Sequence, residues 1–309
     1  MRRVKKLEWL YFALIGTIFF SAAGVMEKLI ISSYMSDPKS LLVCQILVSQ
    51  LFTIPVIIII HPDFIYPESV FALLAGSLQI LPTIFYLKAL QIEEVSKVTA
   101  LENVYPIFIF IGSVILMGEK LEPKACAGGL LLLVGSILIS YQRNSPNGKA
   151  NFPALSPAIK PFMLYWILTA LYYLSLKYIL VSTDEWHLYI WSSLGSLVAI
   201  MPLIGIQSIR YEARKFFNKG NTAVFTLISA EILMFLGIIF SIFAYSIGSV
   251  TLVSSIGALQ PMLTLLLVLV MSIFLPGLAK KMEENIEWNS LVQKSVSFII
   301  VLVGIYFIR

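Results

Sequence analysis

The chain has 309 residues, of which 59% are apolar and only 13% charged, with a mean hydropathy of +0.90. A soluble domain carries about a quarter charged residues, so this composition cannot cover a globule with polar surface and reads as an integral membrane protein. Spans of roughly 20 residues leave room for about ten of them and none for a large catalytic or nucleotide-binding domain, and a net charge of +5 at this hydropathy reads as loop charge at anionic headgroups rather than a nucleic-acid surface.

In chain order, Met1-Arg2-Arg3-Val4-Lys5-Lys6 followed by an apolar run over 9–32 predicts an uncleaved signal-anchor that forms the first span. Further apolar segments of spanning length cover 39–60, 69–90, 97–117, 123–141, 161–181, 186–206, 222–247, 250–275 and 290–308. The breaks carry loop chemistry, as in Ser36-Asp37-Pro38, His61-Pro62-Asp63 and Ser182-Thr183-Asp184-Glu185. A polar stretch from Gln142 to Lys160, with Pro146, Pro153 and Pro157, reads as a linker between two five-helix halves. From Ile206 to Asn218, Ile209, Ala213, Phe216 and Phe217 recur at helical spacing opposite Arg210, Glu212, Arg214 and Lys215, which predicts a short helix at the headgroups or a protruding helix end. Cys44 and Cys126 sit in or beside apolar runs, which makes a disulfide framework unexpected.

The halves resemble each other. A shift of 155 lays Ala244 on Ala89, Val250 on Val95, Thr251 on Ser96 and Pro261 on Pro106; shifts of 149, 147 and 169 lay Lys177 on Lys28, Pro202 on Pro55 and Gly304 on Gly135. The growth of the last shift locates an insertion around 276–289. An odd number of helices per half makes the second enter the membrane from the opposite side, the inverted-repeat plan of many transporters, with the substrate site near the midplane between halves. The expected fold is therefore an all-α membrane protein, ten transmembrane helices as two inverted five-helix repeats.

The stretch Ala89-Leu90, Val95-Ser96, Leu101, Pro106, Gly118-Glu119-Lys120-Leu121, Gly128 and Gly135 resembles the signature of the EamA-like branch of the drug/metabolite transporter superfamily, and Lys28 and Lys177 are similar to positions in that family. The second half departs from it, with Phe274-Leu275-Pro276-Gly277 where Gly-Glu is expected. The resemblance implies a first EamA-like repeat over 1–141, a linker over 142–160 and a second repeat over 161–309, and a secondary transporter for small organic solutes such as amino acids, related metabolites or drug-like compounds.

Polar residues inside the spans sort onto faces. Helix 1 aligns Thr17, Ser21, Gly24 and Lys28; helix 6 aligns Trp166, Ala170, Tyr173 and Lys177; helix 3 aligns Gly76, Gln79, Thr83 and Tyr86; helix 4 aligns Thr99, Glu102, Pro106 and Ser113; helix 8 sets Glu231 on the face of Ser241 and Tyr245. Such faces line a shared interior or form helix contacts through small residues. Glu231 near mid-depth and Glu102 roughly 8 Å into its span carry a cost of ~2.5–3.5 kcal/mol each at mid-membrane, so each needs water, a partner or a proton. Either is a candidate for substrate binding or proton coupling, with a structural hydrogen-bonded carboxyl as the alternative. Gln79 and Gln260 suit solute orientation, while Lys28 and Lys177 can contact substrate or snorkel from helix ends. Tyr105, Tyr245 and Trp191 wall a cavity or simply pack, with Tyr86 and Tyr245 also counted as candidate substrate contacts; Pro55, Pro82, Pro106, Pro202 and Pro261 kink helices or serve as hinges.

The sequence has no phosphate-binding Gly-x-x-x-x-Gly-Lys-[Ser/Thr] loop and no His-Glu-x-x-His, and its two histidines, His61 and His187, are isolated. No cofactor, metal or catalytic constellation is therefore expected. A secondary transporter in the cytoplasmic membrane is the leading expectation, working by alternating access and open to proton coupling, with a small-molecule solute and membrane lipid as partners, no nucleic acid, and a monomer or homodimer as the unit. A lipid or lipid-linked headgroup flippase is the alternative, and a membrane-embedded enzyme or assembly scaffold is the reading of another class. The basic amino terminus places both termini in the cytoplasm, although that choice leaves Arg210, Arg214, Lys215 and Lys219 outside, against the usual distribution of loop charge.

Overall fold

Apolar runs that leave water form helices because a helix satisfies its own backbone hydrogen bonds. The computed structural model describes residues 2–93, 95–102, 104–118, 123–140, 159–279 and 288–308, and among these there is no strand. The helices are α1 (Arg2–Ser33), α2 (Pro38–Ile60), α3 (Glu68–Leu78), α4 (Ile80–Ile92), α5 (Val95–Glu102), α6 (Pro106–Met117), α7 (Pro123–Ser140) and α8 (Ile159–Ile179). They continue with α9 (Glu185–Gly205), α10 (Gln207–Phe217), α11 (Asn221–Ile247), α12 (Val250–Ile256), a 3-10 turn (Gly257–Leu259), α13 (Gln260–Phe274), α14 (Pro276–Ala279) and α15 (Trp288–Ile308). Glu119, Lys120 and Leu121 of the motif, nearly all of the 142–160 linker and residues 280–287 of the insertion lie outside the described residues.

Among the described residues, seven helical segments are long and apolar enough to cross a membrane: Glu8–Ser33, Pro38–Ile60, Glu68–Ile92, Phe162–Ile179, Glu185–Gly205, Asn221–Ile247 and Val250–Phe274. The other expected segments, 97–117, 123–141 and 290–308, are helical as well, but the first is broken, which leaves α6 only 12 residues long. The outer surface is apolar in the way lipid demands: Ile59 is 75% exposed, Ile115 72% and Phe274 75%. On a water-soluble molecule so many exposed aliphatic and aromatic side chains would be an aggregation surface.

The loop signals act as helix caps. Asp37 accepts a hydrogen bond from the Ser40 amide at 2.9 Å and Asp184 from the His187 amide at 2.8 Å, so each starts the helix that follows. Helix α9 ends at Gly205 with Ile206 extended, and α10 begins anew, so the 206–218 segment is a separate helix and not a protruding end. Its Ile209 and Phe216 are buried and its Arg210, Arg214 and Lys215 exposed. Both cysteines are free.

Three expected helices are interrupted. Helix 3 breaks at Gln79 between α3 and α4, helix 4 at the turn of Val104 and Tyr105 ahead of α6, and helix 9 at the 3-10 turn between α12 and α13. Pro106 and Pro261 stand in the first turn after a break, where a missing amide hydrogen leaves nothing unsatisfied. Pro82 lies just inside α4, whereas α2 and α9 run on through Pro55 and Pro202.

Helix α1 packs along α11, α3 crosses α9, α7 pairs with α15, and α4 and α6 pack on α8. At the α3–α9 crossing the backbones approach so closely that a Cβ on Gly76 would overlap Ser192 and one on Gly195 would overlap Leu73. Two reciprocal bonds seal it: Ser77 Oγ donates to the Gly195 carbonyl and Ser196 Oγ to the Gly76 carbonyl, both at 2.9 Å. Gly76 therefore belongs to a helix contact of the small-residue kind.

Candidate functional site

The helix breaks surround two adjoining cavities of about 140 Å3 each. Glu27, Gln79, Thr83, Tyr172, Met234 and Ile238 border both, so together they form one interior with two compartments. Glu102, Tyr86, Tyr245 and Gln260 line the first compartment and Glu231 the second. Of the eight candidate substrate or coupling residues, six, Gln79, Tyr86, Glu102, Glu231, Tyr245 and Gln260, thus meet in one interior.

The interrupted helices build the first compartment. Glu102 is the last residue of α5, and its carboxyl is held on both oxygens: Tyr165 donates its hydroxyl to Oε1 at 2.8 Å, and Gln260, at the start of α13, donates Nε2 to Oε2 at 3.4 Å. Trp166 Nε1 donates to the Leu101 carbonyl at 2.7 Å, which satisfies a backbone group that the break releases. Ser21 Oγ donates to the Gln260 carbonyl at 3.3 Å, and the Tyr86 hydroxyl comes so close to helix α1 that a Cβ on Gly24 would lie 3.1 Å from it. Tyrosines form the wall: Tyr105 stacks on Tyr173 with ring centres 5.2 Å apart, and Tyr173 meets Tyr245 at 5.1 Å and Tyr172 at 5.2 Å.

The second compartment lies between α2, α9 and α11. Gln45 donates Nε2 to Glu27 Oε1 at 2.6 Å, and Glu231 lines the same compartment. Thr53 Oγ1 bonds the Tyr189 hydroxyl and Ser193 Oγ, each at 2.8 Å, on the α2–α9 side.

Glu27 escapes the sorting of polar faces because it lies about 100° around α1 from Lys28 and off the stripe of Thr17, Ser21 and Gly24. The available signal is the adjacency itself: two neighbouring charges on one buried helix cannot face the same way. Glu27 is 2% exposed and Lys28 1%. Lys28 and Lys177 do not line either compartment. Lys28 Nζ donates to the carbonyls of Leu90 and Glu93 at 2.8 and 2.9 Å, and Lys177 Nζ to those of Tyr245 and Gly248 at 2.7 and 2.8 Å. The shift of 155 that aligns the halves carries Leu90 onto Tyr245 and Glu93 onto Gly248. Trp191 packs edge-on against Phe64, with ring centres 5.2 Å apart, away from the cavities.

Residues 7–141 match the EamA-like transporter family, which is part of the drug/metabolite transporter superfamily. Over this segment the chain is similar to that family. The match points to a membrane transporter rather than an enzyme. The EamA-like segment contributes Glu27, Gln45, Gln79, Tyr86 and Glu102 to the interior; Tyr165, Glu231, Tyr245 and Gln260 come from the chain beyond it. A solved structure described as "Crystal structure of protein" superposes with a TM-score of 0.65 at 15% identity, covering 96% of this chain and 94% of that one, so the two share a fold. No curated protein sequence matches the chain.

Proposed function

We propose that the protein is a secondary transporter that moves a small organic solute across the cytoplasmic membrane by alternating access, with its termini in the cytoplasm and a monomer or homodimer as the working unit. Its plan is ten membrane helices in two inverted halves, 1–141 and 161–309, rocking about the two-compartment interior. The observation that carries this reading is the interior itself: the buried carboxyls of Glu27 and Glu231 and the half-buried one of Glu102 lie between helices of both halves and line its two compartments. A scaffold has no use for such costly groups around a void. Support for the repeat comes from the paired lysine caps, the paired breaks ahead of Pro106 and Pro261, and the contact between the two halves' last helices, α7 and α15.

Glu231 is assigned the coupling proton, because it lines the second compartment and not the first, apart from Glu102 and its Tyr165 and Gln260 partners. In proteoliposomes loaded with solute, the purified protein is expected to catalyse counterflow exchange and, with a pH gradient imposed, net accumulation. Glu231→Gln should keep counterflow within about twofold of the wild type and lose most gradient-driven accumulation. Full accumulation by the variant would remove Glu231 from coupling, and absence of any flux by the wild type would sink the transporter reading.

A further inference from the structure

We propose that the interior takes a small organic cation, a protonated amine or quaternary ammonium, with Glu27 as its charge partner and tyrosine ring faces as its walls. The proposal rests on the transporter reading for the purpose of the site and adds the charge of what enters it.

Glu27 leads the argument because its carboxyl is only half used. Oε1 accepts from Gln45, whereas the buried Oε2 accepts no well-formed hydrogen bond among the described residues, although the Tyr86 hydroxyl stands near the carboxyl and the side chain borders both compartments. Thr169 Oγ1, also buried and lining the first compartment, has none either. A buried polar oxygen without a donor is destabilising until one arrives, and for a carboxylate the largest compensation is a cation. Glu102 differs: with both oxygens occupied by Tyr165 and Gln260, it does not require a further donor.

No Lys, Arg or His lines either compartment among the described residues. The two lysines of the neighbouring helix ends direct their ammonium groups to backbone carbonyls. A solute carboxylate or phosphate would therefore meet three carboxyls and no counter-charge, which disfavours anions and leaves a zwitterion one end unmatched. The walls complete the selection, since the ring faces of Tyr105, Tyr172, Tyr173 and Tyr245 offer negative quadrupoles that attract a cation within about 6 Å, and apolar contact for its carbon body.

The test measures binding to the purified full chain by calorimetry and thermal stabilisation, and exchange in proteoliposomes. The probes are two cations, phenethylamine and choline, against phenylacetate, phenylalanine and 2-phenylethanol as anionic, zwitterionic and neutral comparisons. At least one cation is expected to bind roughly tenfold or more tighter than every comparison compound. Glu27→Gln should weaken that cation by a similar factor and leave the unliganded melting midpoint near that of the wild type. Equal or tighter binding of phenylacetate or phenylalanine, binding of neither cation, or a folded Glu27→Gln that binds the cation like the wild type would overturn the proposal. Should Glu27→Gln fail to fold, the wild-type ranking decides on its own. Exchange separates the two levels: a cation that binds but is never exchanged leaves the cation site and removes the transporter reading, whereas exchange of the anion does the reverse.

Discussion

The ammonium groups of Lys28 and Lys177 end where helices α4 and α11 run out of intrahelical donors. The last carbonyls of a helix are unsatisfied and carry the negative end of its dipole, so a lysine delivered from another helix supplies both hydrogen bonds and charge. Lys28→Met preserves the length and apolar stem of the side chain and withdraws the donors. Leaving two carbonyls without them costs ~1–3 kcal/mol each, which at about 2–4 °C per kcal/mol should lower the melting midpoint by several degrees. Solute affinity, measured on the folded variant below its midpoint, should stay within about twofold of the wild type. Lys177→Met should behave alike. A lysine in contact with solute would give the opposite pattern, an unmoved midpoint with lost binding, and a fluorescence melt with and without ligand separates the two. At this scale the sequence was informative about Glu102, Glu231, Gln79 and Gln260, because a polar group deep in an apolar run is conspicuous by cost alone. It was uninformative about Glu27 and the tyrosine wall. Near a helix end a Glu-Lys pair resembles ordinary surface charge, and tyrosine is at home both in cores and at membrane interfaces.

Hydropathy marks where a segment leaves water, so the outer limits of the helices were legible to within a few residues: 39–60 corresponds to α2, 186–206 to α9 and 250–275 to the run from α12 to α13. The interruptions at Gln79, ahead of Pro106 and at the 3-10 turn were not, because a broken helix remains apolar throughout and its freed carbonyls are satisfied by distant partners such as Trp166. The α3–α9 crossing was hidden for a related reason. Glycine at position 76 shares a helix face with Gln79 and Thr83, and only the partner helix shows that its lack of a side chain is what matters. Gly195→Ala should destabilise the protein by ~1–3 kcal/mol through forced separation of the two backbones, and the Ser77 and Ser196 bonds should loosen with it. Gly205→Ala, on the same helix with open space around it, supplies the control. Its midpoint should remain at the wild-type value or rise slightly, since alanine favours helix over glycine. Equal midpoints for the two variants would mean that the crossing tolerates a methyl group.

At the scale of the whole molecule, the distribution of charge along the bundle axis bears on its orientation. Lys219, in the turn between α10 and α11, donates Nζ to the Tyr34 carbonyl at 2.6 Å, which ties that turn to the end of α1 farthest from the basic amino terminus. The exposed Arg210, Arg214 and Lys215 of α10 are close by in sequence, so the molecule carries a basic cluster at each end: Arg2, Arg3, Lys5 and Lys6 at one, α10 at the other. Basic residues favour the cytoplasmic side, and the first helix usually sets the outcome. With the amino terminus in the cytoplasm, α10 lies outside, and its buried Ile209 and Phe216 then hold it against the protein where anionic headgroups are scarce. Lys215 is exposed and makes a 3.8 Å ion pair with Glu212, within α10 itself, so Lys215→Cys places an accessible thiol without disturbing the bundle. In a background carrying Cys126→Ser, with Cys44 already buried, a membrane-impermeant maleimide is expected to label this thiol in intact cells as completely as after lysis. Labelling only after lysis would place α10 in the cytoplasm, invert the assignment of both termini, and make the α10 cluster the stronger topological signal.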